Sequence, residues 1–190
     1  MTDSALPWSS AGIIADHLAR VVRRSSNHPL TDIYYSCLAG TDVPDSRWAG
    51  PVHEVDMSLH LVLSSGDAIS LTWTMDGLNE GLDLSITNEL PPQSEAEQLI
   101  DVSRFDAWSA HLGDTIDSIQ PVWHTPNIGC PDAVWSYRFD FHSSPSVTAS
   151  LGQEIDGKVS YLPDSIVVIF DPNLSASYHI PASKQSASGL

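Results

Sequence analysis

Val52-His53-Glu54-Val55-Asp56-Met57-Ser58-Leu59-His60-Leu61-Val62-Leu63, then Ser64-Ser65-Gly66-Asp67, then Ala68-Ile69-Ser70-Leu71-Thr72-Trp73-Thr74-Met75, is the stretch whose reading decides the fold. Val55, Met57, Leu59, Leu61 and Leu63 alternate with Glu54, Asp56, Ser58 and His60; Ile69, Leu71, Trp73 and Met75 alternate with Ser70, Thr72 and Thr74. Successive side chains of a strand point to opposite faces, so a period of two predicts half-buried strands joined by a hairpin. Parity constrains that hairpin. A two-residue Ser65-Gly66 loop would set Val62 opposite Ile69 and put opposite faces together, so the loop must have odd length or carry a bulge. A three-residue loop with Leu63 opposite Ile69 and Leu61 opposite Leu71 meets the requirement. Leu82, Leu84 and Ile86, alternating with Asp83, Ser85 and Thr87, predict a third strand, with 75–81 as the connection.

The same rule applies further along. Trp135, Tyr137, Phe139 and Phe141 alternate with Ser136, Arg138, Asp140 and His142, and Val147, Ala149 and Leu151 return after Ser143-Ser144-Pro145. Asp156-Gly157 is a turn signal. Ile166 to Phe170 is apolar on both parities, which predicts a central strand covered on both sides. Asp32 to Leu38 is another expected strand, and Thr115 to His124 is ambiguous because Pro121 argues against a central strand. Ile13, Ile14, Leu18, Val21 and Val22 recur at helical spacing and predict a helix over 10–24, with Ser9 or Ser10 as N-cap and Arg20, Arg23 and Arg24 in the last turn, where the helix dipole favours cations. Short helices are expected over 94–102 and 104–112, the second opened by a capping box at Ser103-Arg104-Phe105-Asp106 and stopped by Gly113. The sum is an α+β fold with a mainly antiparallel sheet of about seven strands, an N-terminal helix and one or two short helices on one face. Residues 1–182 are expected to form a single domain and 183–190 a mobile Ser/Ala-rich tail.

Charge is the most unusual bulk property: 24 acidic against 8 basic residues, net −16. Residues 32–101 hold 13 of the acids and one base, Arg47, whereas residues 1–31 are slightly basic. Such a field repels nucleic acid and anionic membranes, so neither is an expected partner, and it speeds encounter with a basic protein. The longest apolar run, Ile166 to Phe170, is far short of the roughly 20 residues that cross a bilayer. Met1-Thr2-Asp3-Ser4 begins no secretory signal, so a cytoplasmic location with Cys37 and Cys130 reduced is expected.

Motifs for covalent or nucleotide chemistry are absent: no Gly-x-Ser-x-Gly, P-loop, Gly-x-Gly-x-x-Gly or His-Glu-x-x-His occurs. The eight histidines fall in no zinc-ligand spacing, and the acids of 76–83 do not follow the EF-hand pattern, so no cofactor or metal is expected. With no catalytic residue assigned, the leading expectation is a non-enzymatic acidic module that binds a basic partner protein. Its most concrete form is an immunity or antitoxin-type inhibitor of a basic toxin such as a nuclease, with carboxylates pairing the toxin's Lys and Arg. The candidate partner-binding residues are Glu54, Asp56, His60, Asp76, Glu80 and Asp83, with Trp48 as an anchor. The rival is a small-molecule binder or enzyme with a pocket on the sheet, using Asp140 and His142 and lined by the aromatics from Trp135 to Phe141. A structural or regulatory subunit is the third expectation.

Overall fold

The computed structural model describes residues 3–40, 45–90, 92 and 94–178. In chain order the elements are β1 (Asp3–Ala5), α1 (Ala11–Ser25), β2 (Leu30–Leu38), a 3-10 turn (Asp45–Trp48), β3 (Val52–Val55), β4 (Ser58–Leu63), β5 (Ala68–Asp76), β6 (Asn79–Thr87), β7 (Glu97–Asp101), α2 (Asp106–Ser109), β8 (Ile116–His124), β9 (Ala133–Phe141), β10 (Val147–Leu151), β11 (Gln153–Ile155), β12 (Lys158–Ser160), β13 (Ile166–Ile169) and α3 (Pro172–Ser177). The fold is α+β and antiparallel throughout its pairings, but the strands form two sheets and a small hairpin rather than one sheet. The first sheet runs β1-β6-β5-β4-β2-β7, the second β3-β13-β10-β9-β8, and β11 pairs β12.

The decisive stretch is where expectation and structure part. Alternation predicts one strand from Glu54 to Leu63, yet the chain breaks at Asp56-Met57: β3 joins the second sheet beside β13, and β4 joins the first between β2 and β5. The hairpin itself has the odd-length loop that parity demands. Leu63 N donates to Asp67 O at 2.8 Å and Gly66 takes φ +89°, the left-handed conformation a glycine adopts without strain. The register lies two residues from the expected one, with Leu61 opposite Ile69 and Leu59 opposite Leu71, so the faces are unchanged. The expected 75–81 connection is a tight turn at Gly77-Leu78, since β5 and β6 pair out to Asp76 opposite Asn79.

Register carries the apolar rows across the first sheet: Tyr35-Leu59-Leu71-Leu84 and Ile33-Leu61-Ile69-Ile86, all essentially buried. In the second sheet Trp135, Tyr137, Phe139 and Phe141 are buried along β9, and Ile166 to Ile169 form the fully buried β13 between β3 and β10. All contribute to one continuous core. Trp108 Nε1 donates to Tyr35 Oη at 2.6 Å, and Tyr35 Oη meets His53 Nδ1 at 2.7 Å, a buried link from the first sheet to the second. β6 and β9 approach closely: a Cβ on Gly81 would lie 2.9 Å from Val134 O and 2.6 Å from Pro7 Cβ, so only glycine fits.

α1 buries Ile14, His17, Leu18, Val21 and Ser25 on one stripe and packs beside β1 and β8, the edge strands of the two sheets. Ser10 occupies its N-cap position but makes no side-chain cap. Arg24 grips Asp67 at the β4–β5 turn with bonds of 2.5 and 2.8 Å. The helix expected over 94–102 is instead β7, because Leu38 to Tyr34 offer a free strand edge that Glu97 to Asp101 complete; paired backbone overrides weak helical propensity. The helix expected over 104–112 shrinks to four residues, and Ser103 does not cap it: its Oγ accepts from Ile33 N at 2.8 Å. β8 is an edge strand with two bulges, which is how it accommodates Pro121. Asp171 N-caps α3 by accepting from Asn173 N at 2.7 Å. The tail expected over 183–190 lies outside the described residues. Among the described residues no helix is long and apolar enough to cross a membrane.

Candidate functional site

The seven expected partner-binding residues do not share one surface. Trp48 is 2% exposed; its Nε1 donates to Glu54 O at 2.8 Å, and its ring packs edge-on against Tyr35 and Phe105. It is a core residue, and the loop Trp has folded inward. Glu54 is half-buried and accepts from Glu154 N at 2.7 Å. Asp56 is half-buried and paired with Arg47 at 2.5 Å. Because the chain changes sheet between them and β4, neither lines up with His60.

His60, 4% exposed, sits in a polar strip on the first sheet. Register aligns Tyr34, His60, Ser70 and Ser85 in one row and Ser36, Ser58, Thr72 and Asp83 in the next. His60 Nδ1 meets Ser70 Oγ at 2.8 Å, Ser58 Oγ meets Thr72 Oγ1 at 3.0 Å, and Ser36 Oγ donates to Glu97 Oε2 at 2.6 Å. An imidazole bonded to a hydroxyl has the parts of a general base. Burial, opposed by Glu97, lowers its pKa to about 4, which makes it a weak base near neutrality, and enclosure keeps substrate from it. The hydroxyls of the strip and His60 Nδ1 find partners within it or on Glu97, whereas Asp83 Oδ1 finds none.

Asp76 is exposed, and it leads to the region where chemistry concentrates. The β5–β6 turn and the loop 125–132 are joined: Asn127 Nδ2 donates to Leu78 O at 2.7 Å, and Cys130 Sγ approaches the same oxygen at 3.4 Å. Thr125 Oγ1 donates to Asp132 Oδ1 at 2.6 Å, bracing the loop from within. Three large apolar side chains stand exposed on this pair of loops: Met75 at 47%, Leu78 at 66% and a fully exposed Ile128. Exposed carboxylates, Asp76 and Asp132, flank them.

The strands β6, β8 and β9 also carry buried polar and aromatic side chains. Glu80, 8% exposed, accepts from Tyr161 Oη at 2.5 Å. The His124 ring lies 5.6 Å from Tyr161 and 6.2 Å from Trp135, and Trp135 lies 5.0 Å from Tyr178, all edge-on. Neither ring nitrogen of His124 reaches a hydrogen-bond partner, nor do Trp135 Nε1, Tyr137 Oη, Asn79 Oδ1 or Asp83 Oδ1. These are six of the seven such buried atoms among the described residues; the seventh is His53 Nε2. A buried unsatisfied group costs about 1–3 kcal/mol, so their concentration on three strands calls for an explanation.

Electrostatics follow from burial. His124 is pushed down to about 4 by desolvation, against a weak upward pull from Asp132 and the Thr125 backbone, and is neutral near pH 7. Burial raises Asp83, with His17 acting in the opposite sense. Tyr137 is raised by burial and by the nearby Asp83 charge, and Tyr161 by burial and Glu80. Glu80 and Asp83, expected as partner-binding carboxylates, are therefore drawn into the fold, Glu80 against Tyr161 and Asp83 near Tyr137 and His17. Alternation made Trp135 and Tyr137 visible as an aromatic face; nothing local in the sequence joined them to Asn79, His124 or Tyr161. Asp140 and His142, expected in the same pocket, lie elsewhere. Asp140 is held by Arg138, Ser118 and Ser146, whereas His142 meets Asp117 at 3.3 Å. Among the described residues no group of three or more His, Cys, Asp or Glu is placed to hold a metal ion. Both cysteines are free thiols.

No protein-family model matches the chain, and no curated protein or solved structure matches it.

Proposed function

We propose that the protein is an acidic protein-binding module that docks a basic partner through the paired loop tips at 75–78 and 125–132. The observation that carries this reading is the group of Met75, Leu78 and Ile128, exposed together on two hydrogen-bonded loops and bordered by Asp76 and Asp132. Apolar anchors within a charged rim are the ordinary anatomy of an interface, and isolated surface hydrophobics do not cluster in this way. The net charge of −16 selects the partner's sign and accelerates encounter. Of the seven residues expected from the sequence, this reading keeps Asp76 at the interface. Its concrete form remains an immunity or antitoxin-type inhibitor, in which the acidic rim occupies the basic site where a toxin such as a nuclease holds substrate phosphates. A cytoplasmic location belongs to the same proposal and suits two free thiols.

The test is affinity capture with mass spectrometry at low and high salt, using the wild-type chain and the Leu78→Asp/Ile128→Asp variant. The expected result is a basic protein held by the wild type at low salt, lost at high salt and lost by the variant. Capture that is salt-insensitive, or equal for the two chains, rejects the reading.

A further inference from the structure

Where α1 packs beside the edge strand β8, a trench runs between them. Two adjoining cavities of about 350 and 380 Å³ form it, sharing Val22 and Asp117. The first is apolar. On the helix side Ala11, Ala15 and Ala19 recur about one turn apart and end at Cβ, which leaves room beside the strand. On the strand side stand Ile119, Pro121 and Trp123, and buried Leu18 forms the floor. This half offers a guest few hydrogen bonds: the Ser118 hydroxyl is spent on Asp140 Oδ2 at 2.6 Å, and Pro121 has no amide hydrogen. The second cavity is polar, walled by Ser26, Asn27, Thr115 and His142. Asp117 stands where the two meet. Its side chain is 55% exposed, with Oδ2 3.3 Å from His142 Nδ1. No lysine or arginine lines either cavity.

We propose that this trench binds a linear alkylamine, its ammonium group on Asp117 and its chain laid along α1 toward Trp123. A carboxylate at one end and apolar walls beyond it call for a guest with one cationic head and a tail that needs no hydrogen bonds. The shape sets the length. From Val22 back to Ala11 the helix rises about 16 Å, which about a dozen methylenes span. An added strand does not suit this edge, because Pro121 interrupts the donors of β8. The net charge of −16 adds a field that draws a cationic head and repels an anionic one. The trench shares no residue with the loop tips at 75–78 and 125–132, so the assignment is independent of the protein-docking reading.

The probes are butylamine, octylamine and dodecylamine, each below its micelle concentration, with octanoate as the anionic control. Binding is read by calorimetry and by the indole N–H resonance of Trp123, assigned with Trp123→Phe. Dodecylamine is expected to bind with a Kd below about 1 mM and to shift that resonance, which butylamine is too short to reach. Affinity should rise about twofold per added methylene, as for a chain half removed from water. Octanoate should bind at least about tenfold more weakly than octylamine, and Asp117→Asn should weaken dodecylamine about tenfold. Ala15→Phe fills the trench from an exposed helical position, so it should abolish the Trp123 shift and leave the urea midpoint near that of the wild type. The proposal is overturned if affinity does not depend on chain length, if octanoate binds as tightly as octylamine, or if both variants bind dodecylamine as the wild type does. The last result would mean that the amine only spreads over the acidic surface.

Discussion

Acidification is the perturbation whose outcome the structure constrains most closely. His53, His60 and His124 are buried, and burial lowers each from the ordinary 6.5 to about 4. Unfolding returns each ring to water and to its ordinary pKa. Between about pH 6.5 and pH 4 the unfolded chain therefore binds more protons than the folded one, and stability falls as pH falls through that window. A drop of this size corresponds to about 3 kcal/mol per ring, less for His124 beside the loop. Near pH 5 each ring contributes close to one proton, so three together give a slope of up to about 4 kcal/mol per pH unit. That is large against the ~5–15 kcal/mol that holds a domain together. Relief of self-repulsion among 24 acidic residues acts in the opposite direction, but most carboxylates titrate near pH 4, below most of the window. Asp67, Asp114 and Asp140, whose pKa values are lowered by hydrogen bonds and, for Asp67 and Asp140, by a neighbouring arginine, add their own loss only below about pH 4. The assay is urea denaturation at several pH values from about 7.5 to about 4.5, for the wild type and His60→Gln. The wild-type midpoint should fall steeply below about pH 6.5, and the variant, weaker at neutral pH, should lose about one proton of slope. A midpoint that is flat or rises over that range refutes the reasoning, as does a variant that keeps the full slope.

Three further outcomes are expected. Gly81→Ala should cost at least about 1–3 kcal/mol in urea unfolding, because its Cβ meets the Val134 carbonyl and Pro7, backbone and ring atoms that cannot swing aside. Trp48→Ala should cost about 3–5 kcal/mol as a core truncation, and partner capture at low temperature should survive it, since the ring is enclosed by Tyr35 and Phe105. In native protein a thiol reagent should label Cys130 and spare Cys37, which is fully buried in β2 and pushed up to about 11 by desolvation; two thiols reacting at similar rates would show that β2 is not closed.

What could be read from the sequence was local and periodic. The hairpins β4–β5, β5–β6 and β9–β10, the buried β13 and helix α1 all announce themselves within a dozen residues, and parity alone required an odd loop at Ser64-Ser65-Gly66. The change of sheet at Asp56-Met57 was invisible because alternation runs through it unbroken: a period of two says which way a side chain points, not which strand lies alongside. β7 was misread as a helix because Leu99 and Ile100 carry too short an apolar signal, and only the open edge of β2 makes Glu97 to Asp101 a strand. The buried cluster depends on β6, β8, β9 and Tyr161 meeting, contacts separated by tens of residues that no local pattern encodes. The exposed apolar tips were missed for the opposite reason, since Leu78 and Ile128 stand alone in turn sequences and are apolar where turn chemistry asks for nothing apolar.

Asp83 shows how an acidic residue on the polar side of a strand need not be a surface charge, and it provides a direct check. Its carboxyl is half-buried, Oδ1 has no hydrogen-bond partner, and burial raises its pKa. A carboxyl raised in the folded state binds its proton more tightly there than in the unfolded chain. It therefore favours folding at low pH and opposes it once pH passes the unfolded value of about 3.9. Asp83→Asn removes the charge and keeps the shape, so it should raise the urea midpoint at about pH 7, with the gain shrinking toward about pH 4 as the wild-type carboxyl takes up its proton. Comparing the two chains at each pH cancels the histidine contribution common to both. Tyr137 gives a second reading, since the Asp83 charge helps hold its phenol above the ordinary range, and Asn should bring its titration down. A variant less stable than the wild type at neutral pH would mean that the Asp83 charge is compensated in the folded protein, and that its unpartnered oxygen is not the cost inferred from the structure.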